Sequence, residues 1–231
     1  MLGNINKSVI FAKFIVGITG LLLILFIIGH TLGNVLVYVG PDALNAYAQN
    51  LRAIPELLWT VRVGLVVVTI VHVWLSLKLA AMNSAANPTK YKVTNHKRAS
   101  FSSKSMRLLG MTIFFFVLYH LAHYTLGIAH PEHYNVPNEI LPDGTSRHDV
   151  YAMVVAGFQN PLVSVIYIIA VVTLGFHLSH GVQSMMHTLG FNGNKFSANM
   201  KKISNAFAIL IVLALGSIPL TILLGLVGGG N

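Results

Sequence analysis

The chain has 231 residues, 55% hydrophobic and 9% charged, with 15 Lys and Arg against 6 Asp and Glu and a net charge of +9. A water-soluble domain carries roughly a quarter of its residues as charges, so a soluble globule is excluded. Cysteine is absent, which excludes disulfides, thiolate metal sites and cysteine-ligated iron–sulfur clusters from this chain.

Several apolar runs exceed about 18 residues, enough to cross a hydrocarbon core about 30 Å thick. They predict an all-α integral membrane protein: one membrane domain, residues 1–231, with five transmembrane helices at about 10–39, 59–83, 107–129, 160–188 and 205–227. The first run is too long for a signal-peptide core and has no small-residue cleavage site behind it, so it reads as a retained span. Gly40-Pro41-Asp42 stops it. Residues 41–55 read as a short amphipathic helix capped by Asp42, with Leu44, Tyr47, Ala48 and Leu51 on one face and Pro55 at its end. Trp59 reads as an interfacial anchor for the second span. Phe114, Phe115 and Phe116 in the third span read as lipid-facing or cofactor-packing bulk. In the connection after it, His130, His133 and His148 read as a solvated loop in preference to a surface metal site. Asn160-Pro161 opens the fourth span and Gly190 closes it. The fifth, which has no histidine, reads as a packing or lipid-facing element, with Gly216 and Pro219 a tolerated kink.

Charge sets the expected orientation. Lys7 and Lys13 precede the first span. Lys90, Lys92, Lys97, Arg98, Lys104 and Arg107 fill the second connection, and Lys195, Lys201 and Lys202 the fourth. Every acidic residue (Asp42, Glu56, Glu132, Glu139, Asp143, Asp149) lies in the first or third connection. The positive-inside bias puts the N-terminus in the cytoplasm and the C-terminus outside. The basic clusters read as a topology signal with lipid-headgroup contact, and the 87–107 loop as a surface that can also dock a cytoplasmic partner. No aromatic–basic interleaving accompanies them, so no nucleic acid is expected as a partner.

Six histidines fall within the spans: His30, His72, His120, His123, His177 and His180. A single transmembrane histidine is more often a helix–helix hydrogen-bonding residue than a ligand, but these are ordered. Counting about 1.5 Å per residue puts His30 and His120 roughly 13 Å below the outer boundary and His72 and His177 roughly 20–25 Å below it. Two pairs at two depths, roughly 6–12 Å apart, fit two bis-histidine haems, each iron gripped from two helices. With both axial positions filled, such an iron carries single electrons. Gly33, Ser76 and Gly181 lie three or four residues beyond ligands, where a flat macrocycle would press on a helix. His123 and His180 compete with their neighbours on depth alone.

The ordered set Ile28-Gly29-His30 with Asn34, Ala43-Leu44-Asn45-Ala46, Val71-His72-Val73, Leu118-Tyr119-His120, the stretch from Val155 to Leu162, and the stretch from Gly175 to Gly181 resembles the dihaem cytochrome b membrane anchor of succinate dehydrogenase and fumarate reductase, in its single-chain, five-helix form. The resemblance implies two haem b groups, with His72 paired to His177 near the cytoplasm and His30 to His120 near the outside. His123 and His180 then become neighbouring packing residues. Ser103, with Lys104 and Arg107 nearby, would meet haem propionates. It further implies a flavoprotein with FAD and an iron–sulfur subunit as cytoplasmic partners, quinone as electron acceptor or donor, and a place in the bacterial cytoplasmic (inner) membrane.

Quinone reduction needs two electrons and two protons, so a titratable group is expected near the outer haem. Glu56, with Arg52 beside it, is the nearest carboxylate beneath the 41–55 helix. Relatives associated with menaquinol often carry their acidic residue near the position of Arg52 instead. Some fumarate reductases place a glutamate two residues before the fourth-helix ligand. Here that position is Gly175 and no Asp or Glu lies inside any span, so no carboxylate proton path of that kind is expected. Two other readings are a dihaem anchor for a different quinone-linked dehydrogenase, whose histidines fall differently along the helices, and a non-haem proton-relaying transporter, which predicts helices broken at mid-membrane.

Overall fold

The computed structural model describes residues 2–85, 101–191 and 193–229, with the backbone alone described over 2–8, 101–104 and 194–195. Helix α1 (Leu2–Asn34) runs into a 3₁₀ turn at Val35–Tyr38. There follow α2 (Pro41–Arg52), α3 (Pro55–Ala85) and α4 (Phe101–His120), which continues as a π turn over Leu121–Thr125. Then come α5 (Pro131–Tyr134), a small hairpin of β1 (Glu139–Ile140) and β2 (Ser146–Arg147), α6 (Val150–Gln159), α7 (Pro161–Thr188) and α8 (Asn194–Leu223). Among the described residues, five helices are long and apolar enough to cross a membrane: Val9–Tyr38, Pro55–Ala85, Ser105–Thr125, Pro161–Thr188 and Phe196–Leu223.

Span boundaries differ from the hydropathy reading by four residues or more in four places, the second span starting at Pro55 and the fifth ending at Leu223 among them. The third stops at Thr125, not 129: the π turn is followed by Gly127 at φ +67°, where a Cβ would sit 2.5 Å from the Tyr134 ring. Only a residue without a side chain fits that turn. The fifth helix starts at Asn194, well before 205, because nothing after Gly193 breaks it; hydropathy sees only the apolar part of a helix whose first turns are polar. Asn160 and Pro161 behave as expected, with the Asn160 side-chain oxygen accepting from the Leu162 and Val163 amides at 3.0 and 3.4 Å.

The helices α1, α3, α4 and α7 form a ring, each touching two others, with α1 against α3 and α7, and α4 against α3 and α7. Helix α8 lies outside it along α7, where Gly175 allows close approach: a Cβ there would overlap Val212. Buried apolar residues concentrate at one end of the bundle, around Val37, Leu44, Met153, Phe158, Val163, Ile218 and Ile222, and along the α7–α8 seam at Leu178, Ala208 and Ile211. Among the described residues, α3 buries only Leu79 of its apolar side chains and α4 only Leu109. The accessible surface is 14550 Å², against about 10,000 Å² for a compact soluble chain of this mass. Much of the apolar surface of these helices faces outward, as suits contact with lipid.

The tightly packed end is capped by α2, α5, the hairpin and α6. Asp149 opens α6 by accepting from the Ala152 amide at 2.8 Å. Arg147 binds Glu139 through Nε (2.7 Å) and a second nitrogen (2.8 Å) and reaches Asp42 at 2.7 Å. Asn45, 1% exposed, donates to Glu139 and Asp149 and accepts from the Tyr151 amide. Asp42 is expected to cap α2; it does not, because the helix begins at Pro41 with Gly40 at the N-cap, which puts Asp42 inside the first turn, where its carboxylate meets Arg147. The buried face of α2 is accordingly Leu44 and Asn45, while Tyr47 and Leu51 of the expected face are exposed.

Arg147 first, and Asn45 after it, hold the Glu139 carboxyl below the usual carboxylate range. A group with a depressed folded pKa stabilises fully above its unfolded value and loses that contribution as pH falls through the folded value. The latch therefore opens only in acid, below the range in which an ordinary glutamate titrates. Amide-exchange protection across 139–159 should fall there, and should already be reduced at neutral pH in Glu139→Gln.

Candidate cofactor site within the helix ring

Toward the capped end, His30 of α1 and His120 of α4 face each other with ring centroids 5.8 Å apart and planes at 89°. Two imidazoles sharing one metal through bonds of about 2 Å have ring centres on the order of 6 Å apart. Phe26 stacks on His30 at 5.3 Å and Phe116 on His120 at 6.0 Å. His120 Nδ1 meets the Tyr167 hydroxyl at 3.3 Å, so its Nε2 is the free nitrogen.

Farther from the cap, His72 of α3 lies against α1. Its Nδ1 is 3.1 Å from the Thr19 hydroxyl, whose proton goes to the Ile15 carbonyl at 2.8 Å. The Nδ1–H therefore donates to Thr19, and the lone pair is on Nε2. Gly20 makes room: a Cβ there would stand 3.4 Å from His72 Cε1. His177 of α7 repeats the arrangement on the other side, with a Cβ on Gly110 of α4 falling 3.4 Å from its Cε1. Its Nδ1 is buried without a hydrogen-bond partner.

These contacts fix the levels. His72 sits beside Thr19 and Gly20, ten or eleven residues before His30; His177 sits beside Gly110, ten before His120. Both counts separate the levels by roughly 15 Å. The sequence count was smaller because it measured depth from span ends that the structure moves.

The neighbouring histidines are distinguished by their partners. His123 is fully buried and both nitrogens are engaged, Nδ1 with the Tyr167 hydroxyl and Nε2 with His133 Nδ1, each at 3.1 Å. His180 is half-buried. Of the expected small residues, Gly33 faces the Tyr47 ring, where a Cβ would lie 2.6 Å from it, and Gly181 faces the Met106 methyl. The side chains of Ser103 and Lys104 lie outside the described residues, as does the 86–100 stretch of the basic loop, while Arg107 is exposed.

Arg52 and Glu56 are both exposed, at the junction of α2 and α3. A shallow cleft of about 360 Å³ instead opens among Tyr134, Asn135, Val136, Asn138 and His148. His148 Nε2 is buried there without a partner, and its burial, with Arg52 nearby, holds its pKa below the usual histidine range. The expected solvated loop is largely ordered against α4: His133 is 8% exposed, and burial lowers its pKa. Thr19, Gly20, Gly110 and Tyr167 escaped the sequence reading. Thr19-Gly20, a polar and a small residue in the long apolar run of α1, was a usable signal. Tyr167 gave none.

Tyr167 serves two imidazoles at once. Removing its hydroxyl in Tyr167→Phe leaves polar atoms of both unpaired, at a cost of about 1–3 kcal/mol. Thermal unfolding in detergent should show that loss, with a smaller one for Tyr38→Phe, whose hydroxyl reaches Ser217 in an exposed pair.

A search of curated proteins and a search of solved structures each gave no match. The model of the succinate dehydrogenase/fumarate reductase transmembrane subunit family matches residues 81–217, more than half of the chain, a range that contains His120 and His177 and leaves out His30 and His72. The chain is a multi-pass membrane protein that belongs to the succinate dehydrogenase/fumarate reductase transmembrane subunit family.

Proposed function

We propose that this chain is the dihaem cytochrome b anchor of a succinate:quinone oxidoreductase, carrying electrons between a cytoplasmic iron–sulfur subunit and membrane quinone. The observation that carries the reading is the His30–His120 pair, two imidazoles from different helices with ring centroids 5.8 Å apart within the ring of helices. His72 and His177 supply the second pair one level away from the cap. A bis-histidine haem b supplies one-electron transfer without a vacant coordination position for substrate.

Three features of the chain fit such groups. Thr19 and Tyr167 hold one nitrogen each of His72 and His120 and leave Nε2 as the ligand atom. Gly20 and Gly110 let the inner imidazoles lie against the opposing helices. His177 has an orphan buried nitrogen in an otherwise apolar setting, a cost that ligation and a reoriented ring would offset. The reading takes His120 over His123 as the ligand because both nitrogens of His123 are engaged by Tyr167 and His133.

The charge asymmetry places the basic connections in the cytoplasm, where the flavoprotein with FAD and the iron–sulfur subunit dock, and the capped end outside. Ser103, Lys104 and Arg107 then belong to the inner end and remain the residues proposed for propionates. Quinone is assigned to the capped end, beside the outer pair. Arg52 and Glu56 are its proposed polar contacts, on the same side as the His148 cleft. The membrane is proposed to be the bacterial cytoplasmic membrane. Glu56, in the first turn of the second span at the capped end, is the one acidic residue in the five spans, so protons for the quinone enter from the capped face and not along a carboxylate path through the bilayer.

His72→Ala and His177→Ala should each remove the same haem, lowering pigment per chain by half and leaving one spectral component. His123→Gln should keep both. Retention of full pigment in His72→Ala would overturn the pairing.

A further inference from the structure

The short helix α5 brings three ligand-type side chains together on the capped face: one ligand atom each from His130, Glu132 and His133 lies within 4.8 Å of the other two. His130 Nδ1 is 3.2 Å and His133 Nε2 3.8 Å from the same Glu132 oxygen. In a tetrahedral zinc site with bonds of about 2 Å, neighbouring ligand atoms are about 3.3 Å apart. The remaining ring nitrogens are already anchored. His130 Nε2 meets the Tyr119 hydroxyl at 3.1 Å, and His133 Nδ1 meets His123 Nε2 at 3.1 Å. Metal-binding histidines are characteristically held by such a bond on the nitrogen that faces away from the ion. The two rings stack at 4.8 Å and 20°. Glu132, with its side chain 64% exposed, leaves the fourth direction open to solvent.

We propose that His130, Glu132 and His133 form a divalent-cation site, selective for zinc-like ions, on the capped face of the bundle. The ligand set, two imidazoles and one carboxylate with an open fourth position, is that of a borderline-soft metal and not of calcium or magnesium, which take oxygen ligands. Proton positions are consistent with it. A cation on His133 Nε2 puts that ring's proton on Nδ1, which donates to His123 Nε2; His123 Nδ1–H then donates to the Tyr167 oxygen, which has two lone pairs and also takes the Nδ1–H of His120. The bound ion ties α5 to α4 and α7 through this chain.

The site uses none of the four histidines proposed as haem ligands, and its test does not read haem content. Zinc titrated calorimetrically into the purified full-length chain, free of any histidine tag, should bind at one equivalent and raise the unfolding temperature. Glu132→Gln changes an exposed side chain and should leave metal-free unfolding unchanged while weakening zinc at least 10-fold; adding His130→Ala should abolish the stoichiometric phase. Magnesium should give no such phase. Equal zinc affinity in the wild type and the double variant, or no stoichiometric binding by the wild type, would overturn the proposal.

Discussion

An imidazole in hydrocarbon is tolerable only when its nitrogens are occupied, since no water is there to satisfy them. Much of this structure follows from how that demand is met. Thr19 takes one nitrogen of His72 and Tyr167 one of His120. Both of these bonds leave the opposite nitrogen directed away from its own anchor. His123 is the contrasting case, a membrane histidine whose two nitrogens are both spent on the protein. Position along the helix does not separate the two kinds. Hydrogen-bond partners do.

The bundle is packed unevenly. Helices α7 and α8 and the capped end hold nearly all the buried apolar residues, while α3 and α4 make few buried contacts of their own. Glycines at 20 and 110 are the points where His72 and His177 come close to a neighbouring helix. The cap supplies order that the ring lacks. Its polar residues, Asp42, Asn45, Glu139, Arg147 and Asp149, bond to one another across four elements, so three of the acidic residues clustered in the first and third connections hold the cap together.

Much of this was legible in the sequence. Long apolar runs located all five spans, and Asn160-Pro161 marked the start of α7, because both signals are local. The ends of the third and fifth spans were misjudged for the opposite reason. A π turn held by the Gly127–Tyr134 contact depends on a loop partner, and a polar helical start carries no hydropathy. Helix α6 was passed over although Asp149 before Val150-Tyr151-Ala152-Met153-Val154-Val155 is a cap followed by an apolar run; at ten residues it was too short to register as a span. The burial of His133 was out of reach, since nothing in the spacing of 130–148 says that the loop folds back onto His123.

The claim that four imidazoles hold two irons is tested most directly by counting. Haem quantified against protein in the purified, untagged chain, together with its reduced-minus-oxidised spectrum, should give two low-spin b-type haems per chain. One haem per chain, or a colourless protein that folds and reaches the membrane, would contradict the account.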